Sequence, residues 1–89
     1  MELGQVVYSK QGRDSGRYYA VVEIVDETYV KIADGKLRRV KSPKLKKVKH
    51  LKTKGDMLDK ISEKLKQNAQ VFDTELRSAL RPYNEEVDG

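Results

Sequence analysis

Cysteine is absent from this 89-residue chain, which excludes disulfides, thiolate nucleophiles and cysteine metal sites. Histidine occurs once, at His50, so neither a His-based metal centre nor a Ser-His-Asp arrangement can be assembled. No apolar run approaches the roughly 20 residues that cross a bilayer, and the start, Met1-Glu2-Leu3-Gly4, has no signal-peptide character. A cytoplasmic protein is the expectation. Carboxylates are missing from one long stretch, since Lys36 to Lys54 holds 10 Lys or Arg and no Asp or Glu.

What is present is polar for a folded domain. Hydrophobic and charged residues each make up 37% of the chain, and at this length only one thin-cored domain fits. The net charge of +5 is unevenly spread. Up to Lys54 there are 14 Lys or Arg against 6 Asp or Glu, a net +8, whereas from Gly55 on the counts are 5 and 8, a net −3. The basic part is where a polyanion would sit. A solubilising face or a disordered basic tail is the plainer alternative. Against it, Leu37, Val40, Leu45, Val48 and Leu51 punctuate the run with apolar anchors.

The chain is organised around Gly4 to Val25, GQVVYSKQGRDSGRYYAVVEIV. Two β-branched and aromatic runs, one around Val6-Val7-Tyr8 within Leu3 to Lys10 and one at Tyr18 to Val25, read as strands flanking a turn. Gly12 and Gly16 supply left-handed dihedrals, Lys10, Arg13 and Arg17 supply cations, and Asp14 shapes the turn. In the second strand Ala20, Val22 and Ile24 form one wholly apolar face, expected to point to the interior, and Tyr19, Val21 and Glu23 form a mixed one. Tyr29 to Ala33 reads as a third strand. Asp34-Gly35 predicts a two-residue hairpin returning as a strand over Lys36 to Val40, although the three-residue step from Leu37 to Val40 implies a bulge or an early end. Ser42-Pro43 predicts a loop, and Leu45, Val48 and Leu51 recur at steps that fit neither strand nor helix.

From Asp56 the period changes. Met57 or Leu58, Ile61 and Leu65 predict an amphipathic helix with Asp56 as N-cap or first-turn acid and Asn68 as its stop. Asp73 reads as the cap of a second helix, Thr74 to Arg81, with Leu76, Ala79 and Leu80 as its stripe and Pro82 as its end. These helices either cover an open end or edge of the β domain or dock a protein partner.

Gly12-Arg13-Asp14-Ser15-Gly16-Arg17, followed by Val22 and Ile24, resembles the KOW motif of ribosomal proteins and transcription elongation factors. Gln5 to Lys10, Tyr29 to Val40 and Lys49-His50-Leu51 extend the likeness to the archaeal and eukaryotic e-type large-subunit ribosomal protein fourteen family. From Gly55 onward the chain is only loosely similar to small bacterial KOW RNA-binding proteins. The resemblance implies a mainly β fold: a small five-stranded, partly open SH3-like barrel over residues 1–54, then two short C-terminal helices over 55–89. It also implies a closing strand near Lys47 to His50, and binding to ribosomal RNA.

The expected function is therefore RNA binding, at the ribosome or on a ribosome-associated protein, through phosphate contacts with little base specificity. The candidate residues are Lys10, Gly12, Arg13, Gly16 and Arg17 on the first loop. On the basic run they are Lys36, Arg38, Arg39, Lys41, Lys44, Lys46, Lys47, Lys49 and Lys52. Tyr8, Tyr18, Tyr19 and Tyr29 either stack on unpaired bases, Tyr18 or Tyr19 first, or form a methyl-lysine cage, or simply follow strand preference. The alternative is a protein-binding adaptor of the transcription or translation machinery. No cofactor, metal or catalytic residue is expected, because Asp14, Asp26, Glu27 and Asp34 all fall in turns.

Overall fold

The computed structural model describes residues 1–88. Five strands, β1 (Val6–Ser9), β2 (Tyr18–Ile24), β3 (Tyr29–Ala33), β4 (Lys44–Lys47) and β5 (Leu51–Lys52), form one antiparallel sheet in the order β4-β3-β2-β1-β5. Helices α1 (Asp59–Lys66) and α2 (Asp73–Asp88) follow. No helix is long and apolar enough to cross a membrane.

The sheet is open but strongly coiled. Its two edges, β4 and β5, are consecutive in sequence and joined only by a 3₁₀ turn, Val48–His50. In a flat sheet these edges would lie roughly 19 Å apart, four spacings of about 4.8 Å, while three 3₁₀ residues advance only about 6 Å. The turn is hydrogen-bonded on both sides: the Val48 amide donates to Thr28 O at 2.8 Å, and the Lys10 amide donates to His50 O at 2.9 Å. One short turn thus draws the β3 and β1 sides together.

Coiling buries both faces. The concave one packs Val7, Tyr19, Val21, Val30, Ile32 and Leu51, and the convex one packs Val6, Ala20 and Ala33 against Ile61, Val71, Leu76 and Leu80. The facing expected for β2 is therefore reversed. Tyr19 and Val21 point to the interior, Ala20 lies under the helices, and Ile24 is exposed beyond a register irregularity between Val21 and Glu23. The apolar count favoured the Ala20 face because that face too is covered, by a layer that comes later in the chain.

Three boundaries also differ from expectation. Lys36 to Val40 is not a strand, since the Asp34 carboxylate accepts the Lys36 and Arg38 amides at 3.0 and 2.8 Å and folds the segment on itself. The strand beside β3 is instead Lys44–Lys47, and the closing strand is Leu51–Lys52. At Gly35, φ is +79°, and an added Cβ would stand 2.2 Å from the Asp73 carbonyl oxygen, so this turn is where α2 seats on the sheet.

Both helices start without the caps expected of them. Leu58 precedes α1 with no side-chain cap, and Asp56 instead accepts the Tyr83 hydroxyl at 3.0 Å. Asp73 opens α2 itself and accepts the Val40 amide at 2.8 Å, while Glu75 reaches back to the Phe72 amide at 3.0 Å, half of a capping box. Asn68, at φ 56°, does end the turn after α1. Pro82 does not end α2. Beyond it, Asn84 is buried and brackets Tyr18, accepting its amide at 2.8 Å and donating to its carbonyl at 3.0 Å, which anchors the last turns from outside the helix.

Candidate nucleic-acid interface

The turn between β1 and β2 is held from inside the coiled sheet. Tyr19, fully buried, sends its hydroxyl to Asp14 O at 3.0 Å, and Lys46, only 7% exposed, sends its ammonium to Asp14 Oδ1 at 2.8 Å and to Gln11 O. Asp14 shapes the turn as expected, and Gly12 and Gly16 hold the positive φ the turn demands. With the anchor buried below it, the turn presents Arg13 outward.

Arg13 stands over β4, where a hollow of about 430 Å³ also takes in Gly12, Asp14, Tyr29, Arg38, His50 and all four β4 residues, Lys44 to Lys47. Lys44 and Lys47 come from β4, His50 from the 3₁₀ turn and Arg38 from the loop after β3. None of Arg13, Arg38, Lys44 or Lys47 forms an ion pair among the described residues. The His50 imidazole registers their neighbours' field: partial burial, and then the charges of Lys49, Lys46, Lys47 and Lys10, hold its pKa below the usual value. Lys10, whose amide donates to His50 O, and Lys49, next to His50 in sequence, are both exposed beside the hollow.

Two of the expected contacts are internal instead. Arg17, 5% exposed, donates from Nε to Asp34 Oδ2 at 2.5 Å and grips Asp88, at the far end of α2, with Nη1 and Nη2. Lys46 is spent on Asp14. In both cases a carboxylate distant in sequence takes the cation out of solvent, an ion pair that charge counting along the chain does not see. Lys36 is drawn to the same place, 3.3 Å from Asp88, whose carboxyl is held below the usual range chiefly by Arg17. Arg39 and Lys41 are exposed on the loop before β4, Gly16 faces the Tyr8 side, and Lys52 lines a separate cleft. Tyr19 has no exposed face to offer a base. The residues the sequence reading missed are Asp34, Asn84 and Tyr83, whose roles rest on contacts to distant strands and loops.

Tyr19 yields a direct check on this anchoring. Burial first, and then the nearby Asp34 and Asp14 carboxylates, push its phenol up to about 12. A raised folded pKa keeps its stabilisation intact below the unfolded value near 10 and loses it as pH climbs toward the folded one. Alkaline spectrophotometric titration is therefore expected to show Tyr19 ionising late, with Tyr83 also shifted upward by its partial burial and by Asp56, and stability falling between about pH 10 and 12. Five tyrosines titrating together in the folded protein would contradict it.

Compared with known proteins, the chain matches no protein-family model and no curated protein.

Proposed function

We propose that this protein is an RNA-binding module, a KOW-like domain on an SH3-like barrel, acting in the cytoplasm at the ribosome or on ribosomal RNA. The observation that carries the reading is the convergence of Arg13, Arg38, Lys44 and Lys47 on one hollow whose one carboxylate, Asp14, pairs with Lys46, so that none of the four is paired among the described residues. A cation surface of this kind suits phosphates, because each contact releases condensed counterions and needs no base edge. A-form RNA hides its base edges in a deep groove, so recognition would be of backbone and shape. The KOW-like turn, with Arg13 lifted by a buried ion pair, supports the same assignment.

The test is the salt dependence of Kd for a short RNA duplex, followed by fluorescence anisotropy beside a DNA duplex of the same sequence. Four phosphate contacts give log Kd a slope near +3.6 against log salt, so Kd is expected to rise roughly a hundredfold over a fourfold increase in salt. A flat response would remove the proposal, and tighter binding to DNA would change its class.

The adaptor alternative has less to work with. The Leu76, Ala79 and Leu80 stripe of α2 packs on the sheet, which leaves Phe72 and Val87 as exposed large apolar residues of that region. Removing the chain from Gly55 would uncover Val6, Ala20 and Ala33, so the helices serve the core before any partner.

A further inference from the structure

Tyr18, Tyr8 and Lys52 form one row across the sheet, because Tyr8 is the register partner of Tyr18 on β2 and of Lys52 on β5. The row lies on the face that carries the helices, and Tyr83 of α2 closes its side, making a cleft of about 380 Å³ rimmed by Lys52, Thr53 and Lys54. That volume falls within the roughly 300–1,000 Å³ of sites that hold a small organic group. The Tyr18 ring centroid is 4.9 Å from Tyr8 and 5.6 Å from Tyr83, at interplanar angles of 59° and 49°. Tilted in this way, and each only half-buried, the rings do not cover one another's faces in full.

Charge decides what fits. Lys52 and Lys54 are exposed and in no ion pair among the described residues, while the one carboxylate in the cleft, Asp56, already accepts the Tyr83 hydroxyl at 3.0 Å. An aromatic cage for a methylated lysine would place its cation beside two lysines, which is unfavourable. A flat, neutral ring tethered to an anion is accommodated at both ends. The cleft is separate from the hollow but follows it closely along the chain: His50 lines the hollow, and Lys52, two residues further on, lines the cleft, about 7 Å of chain away.

We propose that this cleft stacks one unpaired nucleobase, with Lys52 and Lys54 on its phosphate, beside a paired segment held in the hollow. The proposal rests on the RNA-binding reading and adds that the target is a junction between paired and single-stranded RNA. The tyrosines are then a binding site, and the modest base selectivity of stacking follows.

The test uses the full chain with two probes, a blunt RNA duplex and the same duplex carrying a short single-stranded overhang. The overhang is expected to tighten binding on the order of tenfold and to shift the ring resonances of Tyr8, Tyr18 and Tyr83. Tyr8→Leu, which keeps an apolar side chain, is expected to abolish that gain while leaving the blunt duplex unchanged. Lys52→Gln, outside the core, is the second variant, expected to reduce the gain even if the first unfolds. Equal affinity for the two RNAs overturns the cleft alone. Binding to neither overturns the RNA reading as well, and binding to the overhung RNA only sustains the cleft while overturning the duplex reading. Ring shifts with a proline-rich peptide and none with the overhang would make this a protein-binding cleft and overturn the proposal.

Discussion

Lys46→Met is expected to lower the free energy of unfolding by about 3–5 kcal/mol, read from urea denaturation. The side chains of Lys46 and Asp14 are 7% and 4% exposed, so the substitution leaves a carboxylate in the interior without its counterion. Among the described residues Asp14 Oδ2 has no hydrogen-bond partner, and Lys46 is the only cation there that pairs with the carboxylate. For a domain of this size such a loss is a large share of total stability. The companion variant separates desolvation from packing: Lys46→Met with Asp14→Leu removes both charges and is expected to recover most of the loss. If the single substitution proved as stable as the parent, Lys46 would not be the internal anchor described above. It would then return to the list of phosphate contacts.

Converting Arg13, Arg38, Lys44 and Lys47 together to glutamate is expected to weaken RNA binding on the order of a thousandfold or more at moderate salt. All four line the hollow and none is paired among the described residues, so the change reverses the local field without opening a buried ion pair. A control reverses Lys60 and Lys66, exposed on α1. It is expected to shift Kd by no more than about threefold, through the general charge of the protein. Equal losses in the two variants would show that net charge, and no particular surface, attracts the polyanion. Arg17 and Lys46 are left out of the set because they hold the fold.

Much of the architecture was legible in short-range signals. Alternation and β-branched content marked β2 and β3 within a residue or two of their observed bounds, and Asn68 was recognised as a stop because asparagine tolerates φ 56°. Lys44 to Leu51 was opaque because it spans a strand, a 3₁₀ turn and the start of another strand, with Leu45 exposed while Val48 and Leu51 pack into the concave core. Lys36 to Val40 misled because Asp34-Gly35 signals a turn, and the signal does not reveal that the Asp34 carboxylate captures the amides that a return strand would have used. Pro82 misled for a related reason: its local penalty is real, but Asn84 and Asp88 are held from the sheet side.

The amino-acid sequence by itself determined that cations outnumber anions over the first 54 residues, that thiol chemistry and multi-histidine metal centres are excluded within this chain, and that strands precede amphipathic helices. Those are properties of composition and period, which do not depend on which segments meet. Tertiary structure alone decided which cations are free. Coiling of the sheet carried Lys46 to Asp14, and docking of α2 carried Asp88 to Arg17, partners 32 and 71 residues apart. A charge becomes available to a ligand only when folding has not already brought it a counterion.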